Sequence, residues 1–384
     1  MKILVVSNLY PPTVLGGYEL SCSHIVAGLR ARGHDVEVLT SPAHERVSQP
    51  GVTRSLAMHA FRSPWPTDQA MKVVRDHECS VSQRDNTLQL IDAIERLRPD
   101  VVYFFNLIGI GALALVDAVA EAGTAWVWDL GDRVPAQVTE GVLPEIREVF
   151  DAAGRLGAGR YFAVSERLVR EIADGGVEVA DRTTVIGRGV PDYGIERTRS
   201  YLRDGIAEFV GASSLSREKG VDLVVEACAL LVRRGVENFR VSYFGQGDPE
   251  PFIELARSRG VEGRIRFPGF IDHRDLLEVE AGADAFVFPT WPREPGAVVV
   301  FEAAAVGCVP IFTGGAGPAE RLIDGIDCIK IRRDAESLAD AMESVCRGEV
   351  DLERLGAAGV RAGEGPLSFE SMLDRIEAGL SKEV

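Results

Sequence analysis

Residues 2–40 read KILVVSNLYPPTVLGGYELSCSHIVAGLRARGHDVEVLT. The apolar run KILVVS has the composition of a buried parallel strand. A loop, NLYPPTVLGG, follows it. The periodicity then predicts an amphipathic helix over 18–32, which Gly33 closes as a C-cap. HDVEVLT is the next strand. Strand, loop, helix and strand in this order open a doubly wound parallel sheet.

The alternation continues along the chain. Residues 41–88 are irregular and rich in Pro, Ser, Arg and His, as functional insertions in such domains often are. Helices are predicted at 87–98, 111–121 and 143–153, with strands DVVYFFN, WVWDL, YFAVS and TTVIG. Residues 193–204 are polar and read as a linker. A second alternation then starts, with strands AEFVGA, FRVSYFG, IRFPGF, AFVFPT and VPIFTG. Its helices are predicted at 221–234, 251–259, 274–281, 298–306, 319–323 and 337–346. An amphipathic helix ends the chain. The expected class is α/β with two Rossmann-like domains, 1–192 and 205–365, and a terminal helix within 366–384.

Composition narrows the partners. The formal charge is −16, which disfavours a sequence-independent grip on nucleic acid. No apolar stretch approaches the ~20 residues of a membrane span. Met1 leads straight into the first strand, so no signal peptide is expected, and a cytoplasmic protein is the expectation. The six cysteines form no CxxC pair and read as reduced core thiols. The six histidines show no metal-ligand spacing. Nothing decides between a monomer and a homodimer. A dehydrogenase needs G-x-G-x-x-G at the first strand–helix turn; the chain has only Gly16-Gly17 there. A P-loop is also lacking.

Two stretches carry chemistry. In DAFVFPTWPREPGAVVVFEAAAVGCVP, residues 284–310, a strand ends at Pro289-Thr290 and a loop presents Glu294. A helix follows with Glu302 on its second turn. The helix N-terminus between the two glutamates has free N–H groups and a positive dipole end, a seat for a diphosphate. Two solvated surface glutamates are the plainer reading of that spacing. In EFVGASSLSREKG, residues 208–220, Arg217 and Lys219 open a helix beyond a strand. A cation there can neutralise a phosphate.

These pieces, in order, resemble the large retaining GT-B glycosyltransferase family often called family 4. SNLYPP with Gly16-Gly17 and RGHDVEVLT is similar to that family's opening; FAVSE and VIGRGV resemble its motifs before the linker. FVG with EKGVD, then FGQGDPE, IRFPGF, Glu294 and Glu302 with AAAVGCVP, and Gly314-Gly315 resemble its C-terminal series. The resemblance implies two domains facing each other across a cleft. It implies a retaining transfer from a UDP- or GDP-linked sugar to an acceptor hydroxyl, with the sugar nucleotide as substrate and no separate cofactor. By the same resemblance Lys219 contacts the donor diphosphate, Glu294 the transferred sugar and Glu302 the ribose. N–H groups of Gly296, Ala297 and Val298 lie near sugar and phosphates, Gly269, Phe270 and Ile271 line the base, and Gly245 is a further donor-binding residue. Gly16 and Gly17 let the N-terminal loop approach the diphosphate.

The chain also departs from the pattern. Ser213 and Ser214 stand where the family carries an arginine, so Arg217 or Arg188 would supply that charge. Trp128, followed by Asp129 and Asp132, and Phe105, followed by Asn106, stand at acceptor-side histidine positions. Asp129 and Asp132 are therefore candidate catalytic helpers, and Asn106, Trp128, His59 and Arg75 candidate acceptor contacts. Packing in the core is the plainer reading of Trp128 and Phe105. No two aspartates are two residues apart, so an Asp-x-Asp metal site is not expected. A non-catalytic sugar-nucleotide binder and a sugar-nucleotide epimerase are the alternative readings.

Overall fold

The computed structural model describes residues 1–43, 47–58, 84–140, 156, 159–197 and 200–382. The helix predicted at 143–153, and His59 and Arg75, lie outside the described residues. The chain divides into two compact units, Met1–Ile186 with Leu373–Val384, and Gly187–Met372.

The first unit begins with β1 (Lys2–Ser7), α1 (Gly17–Ala31), β2 (Asp35–Thr40) and β3 (Val52–Arg54). It continues with α2 (Arg84–Leu97), β4 (Val101–Phe104), α3 (Ala112–Glu121), β5 (Ala125–Leu130) and α4 (Val134–Glu140). β6 (Arg160–Ala163), α5 (Glu166–Asp174) and β7 (Thr183–Val185) complete its sheet. The seven strands are parallel in the order β3-β2-β1-β4-β5-β6-β7. β1 and β4 are apolar and almost wholly buried, as strands covered on both faces must be. β3 and α5 were not anticipated. β3 is only three residues long, and Ser165 caps α5 by accepting the Leu168 N–H at 3.2 Å.

The second unit holds β8 (Ala207–Ala212), α6 (Val221–Arg233), β9 (Phe239–Phe244), α7 (Glu250–Arg259) and β10 (Ile265–Gly269). α8 (His273–Gly282), β11 (Ala285–Phe288), α9 (Val298–Ala305), β12 (Val309–Thr313) and β13 (Ile329–Ile331) follow. α10 (Ala335–Cys346) and α11 (Leu352–Glu364) close the unit. Its six strands are parallel in the order β10-β9-β8-β11-β12-β13. The last helix, α12 (Phe369–Leu380), begins in this unit and ends in the first. There Arg32 pairs with Asp374 at 2.8 Å and His34 with Glu377 at 2.6 Å.

Residues 193–204, expected as a linker, fall inside the second unit. The Arg197 guanidinium lies 3.4 Å from the Tyr201 ring centroid and donates to the Ala283 and Gly307 carbonyls. Buried Asp284 accepts the N–H groups of Leu202 and Glu208 at 2.9 and 2.8 Å. Polarity that looked solvated is spent on fastening the segment to α8 and β11.

Candidate functional site

In an open parallel sheet, the loops at the carboxyl ends of the strands splay apart where the strand order reverses. In the second unit that point lies between β8 and β11. Their loops, 213–220 and 289–297, carry Lys219 and Glu294. The two loops are locked together: the Trp291 N–H donates to the Glu218 carbonyl at 2.8 Å. Gly220 sits at φ +76°, and a Cβ there would meet the Pro289 carbonyl oxygen at 2.2 Å. Only glycine permits this approach. It brings the Lys219 ammonium into an ion pair with the Glu294 carboxylate. The Thr290 hydroxyl lies 3.4 Å from the same oxygen, and the Thr313 hydroxyl holds the Thr290 carbonyl at 2.7 Å. Gly317 braces the loop from β12, donating to the Glu294 carbonyl at 2.8 Å.

Beyond Glu294 the chain enters α9, which no side chain caps. Among the described residues, the N–H groups of Gly296, Ala297 and Val298 make no hydrogen bond. One pair of loops thus presents a cation, a carboxylate and a helix N-terminus with unused donors. That set can hold an anion and a polyol together.

Glu302, on α9, has different company. It is 6% exposed, and its Oε1 lies 2.8 Å from His273 Nε2. The Tyr193 hydroxyl donates to the same oxygen at 3.5 Å, and its ring meets the imidazole edge-on, with centroids 5.0 Å apart. The hydrogen bond to Glu302 raises the His273 pKa above its ordinary value, although burial pulls it down. Glu280, on α8, is fully buried, and neither of its carboxyl oxygens has a hydrogen-bond partner among the described residues. Burial first, and then the Glu302 charge, push its carboxyl well above the usual carboxylate range.

Ser213, Gly245, Gly269, Phe270 and Ile271 lie at the same sheet end, at or just after the ends of β8, β9 and β10. Ser213 follows β8 and shares a 2.9 Å hydrogen bond with the Tyr243 hydroxyl. Gly245 follows β9 at φ +148°, where a Cβ would strike the Ser213 carbonyl oxygen at 1.6 Å. Its N–H donates to the Gly269 carbonyl at the end of β10. Phe270 is 64% exposed, and Ile271 is half-buried beside it. Arg188 is buried in the second unit. Arg217 is exposed, and its carbonyl accepts from Arg333 at 2.6 Å.

Residues 196–361 match the family described as glycosyl transferases group 1, and residues 16–189 match the glycosyl transferase 4-like domain. The chain is 27% identical to glycogen synthase of Mycobacterium tuberculosis, over 93% of this chain and 89% of that protein. This chain belongs to the GT-B glycosyltransferases. Sucrose-phosphate synthase of Thermosynechococcus elongatus matches its fold with a TM-score of 0.74 at 15% identity, covering 99% of this chain and 98% of that one. The Anabaena protein Alr3699/HepE, in complex with UDP-glucose, matches at 0.71 and 16% identity over the whole of both chains.

In the first unit of this glycosyltransferase the strand order reverses between β1 and β4. The loop after β1 is tied to that after β4 by the Asn8 N–H donating to the Asn106 carbonyl at 2.7 Å. The Asn106 side chain is partly engaged, its Oδ1 accepting the Ile108 N–H at 3.1 Å. Gly16 and Gly17 open α1, and a Cβ at either would meet nothing within 4 Å. The Gly16 N–H donates to buried Glu19 at 2.9 Å. Asp129 is fully buried and accepts the Tyr103 hydroxyl at 3.0 Å. Asp132 is exposed, its Oδ1 accepting the Arg133 N–H at 2.7 Å. Trp128 and Phe105 are fully buried, and the indole N–H donates to the Phe105 carbonyl at 2.6 Å. Trp128 packs between Phe104 and Tyr161 with no face left for an acceptor, so its place is in the core.

Sequence reading passed over Thr290, His273, Tyr193 and Glu280. His273 has no metal-ligand spacing and belongs to none of the motifs quoted above, and Tyr193 lies in the segment expected as a linker. Among the described residues, no group of three His, Cys, Asp or Glu side chains could hold a metal ion, and no helix is long and apolar enough to cross a membrane.

Proposed function

We propose that this enzyme transfers a sugar from a UDP- or GDP-linked donor to an acceptor hydroxyl, with retention and without a metal ion. The pairing of Lys219 with Glu294 at the reversal of the second sheet carries the reading. A charge pair of this kind can open toward a ligand offering both an anion and hydroxyls. Lys219 then meets the diphosphate, and Glu294 accepts from the sugar. The unbonded N–H groups at the start of α9 stabilise the charge that grows on the departing phosphate. The UDP-glucose held by the Anabaena protein supports a sugar nucleotide as donor.

Two bonds form and two break in the transfer. The acceptor oxygen bonds to the anomeric carbon, and the bond from that carbon to the phosphate oxygen breaks. The acceptor proton passes to the departing phosphate, which leaves on the face the acceptor enters. Positioning and charge stabilisation then supply the catalysis. Glu302 serves the nucleoside end of the donor.

The test is incubation of the full chain with UDP-, GDP- and dTDP-sugars, following nucleoside diphosphate release. Release from one of them, with the product keeping the donor's anomeric configuration, is expected. Absence of turnover with every donor, with and without acceptors, overturns the reading.

A further inference from the structure

Glu302 has two oxygens in unequal circumstances. Oε1 is held by His273 at 2.8 Å and approached by Tyr193 at 3.5 Å, whereas Oε2 accepts nothing among the described residues. We propose that His273 is a positioning residue that clamps Oε1 of Glu302 and so aims Oε2 at a vicinal hydroxyl pair of the nucleotide. This rests on the reading of Glu302 as the group that serves the nucleoside.

The clamp is built into the fold. His273 is the first residue of α8, Glu302 lies inside α9, and the two helices pack together. Tyr193 wedges the imidazole from its edge. A free glutamate rotates about several bonds; one fixed at one oxygen loses less freedom on binding.

Few other charges face the pair. Glu280 is the buried ionisable group of α8, while Arg274, Asp275 and Glu278 on that helix are exposed. The charged residues of α11, which packs on α9, are Glu353, Arg354, Arg361 and Glu364, all exposed, as is Glu320 near the start of α9. Burial, and then the Glu302 charge, raise the Glu280 carboxyl well above the usual carboxylate range, and the carboxylate hydrogen-bonded to His273 is that of Glu302. When His273 loses its proton, the pair gains a net negative charge in a site meant for an anionic ligand. Because the hydrogen bond to Glu302 raises the His273 pKa, that loss comes at a higher pH than for an ordinary histidine, and affinity falls as pH rises through it.

The experiment measures binding of UDP, GDP and their 2′-deoxy counterparts to full-length wild type, His273→Ala, His273→Gln and Glu302→Gln, at several pH values by calorimetry. His273→Ala is expected to weaken the preferred ribonucleotide about 3- to 10-fold and to shrink the ribo-to-deoxy ratio toward one. His273→Gln keeps a neutral donor for Oε1; it should recover most of the affinity and lose the pH dependence. A ribo-to-deoxy ratio in His273→Ala equal to wild type, beside a weakened Glu302→Gln, overturns the clamp alone. A glutamine variant as poor as the alanine one does so too. Wild-type binding by Glu302→Gln, or no binding of either nucleotide to wild type, overturns the nucleoside reading and the clamp together.

Discussion

Replacing Glu280 should make this protein more stable, not less. Glu280 lies on the buried face of α8 with Leu277 and Ala281, fully buried and without a hydrogen-bond partner for either carboxyl oxygen among the described residues. Leaving a buried polar group unpartnered costs about 1–3 kcal/mol. Glu280→Met keeps an unbranched chain of similar length and removes the polar atoms. It should gain about that amount where the carboxyl is protonated in both states, or ~2–10 °C in the melting temperature for a domain of this size, and more at neutral pH. The pH dependence has a definite sign. The Glu280 pKa is raised in the folded chain above its ordinary 4.5, so the folded state keeps a proton that the unfolded state releases. Its contribution is fully present below the unfolded value and is lost as pH rises toward the folded one, at about 1.4 kcal/mol per pH unit. The advantage of Glu280→Met must therefore widen as pH rises. Glu280→Gln abolishes the titration but leaves an unpartnered amide, so it should flatten the response with a smaller gain. Calorimetric melting of the three proteins across about pH 5 to 8 reads this, and taking differences cancels His273, which they share. A methionine variant that melts below wild type at neutral pH, or a difference constant with pH, refutes the argument.

Lys219→Ala and Glu294→Ala should each lower turnover at least ~100-fold with unchanged melting; near-wild-type rates in both would move the donor site elsewhere. Gly220→Ala places a Cβ against Pro289 at a positive φ, so it should lose at least ~1–2 kcal/mol of stability, measured by denaturant unfolding, and weaken nucleotide binding along with it. An alanine variant with wild-type stability and affinity would show that the two loops do not need this approach. EDTA should leave the transfer rate unchanged; a rate lost on chelation and restored by a divalent cation would overturn the metal-free mechanism.

The sequence carried the scaffold through its apolar strands. KILVVS, AEFVGA and AFVFPT are short, apolar and bounded by loops, and each became an interior strand of a parallel sheet. The three-residue strands β3 and β13 are too short for any periodicity, and pairing with a neighbour defines them. Lys219 and Glu294 were legible as separate candidates, but their ion pair depends on Gly220 letting one loop lie against another, a contact across 75 residues of chain. The spacing of Glu294 and Glu302 could not say which partner each one has. The first pairs with Lys219 from the loop after β8 and the second with His273 of α8, since one lies in a loop and the other a turn inside the helix.

Glu280 differs from these, because its signal was present in the sequence. Leu277, Glu280 and Ala281 fall three and four apart, on the one face of α8 that is buried. An acidic residue on an apolar stripe breaks local consistency, and such breaks mark places where something other than packing is at stake. Here the break sits one helix away from Glu302, and the Glu302 charge acts on it. Periodicity can say that Glu280 is buried. It cannot say that a second carboxylate, 22 residues on, acts on it from α9, or that His273 is hydrogen-bonded to that carboxylate. Those facts arise from the packing of α8 on α9, which is why the polar cluster around Glu302 became visible only once the two helices were set side by side.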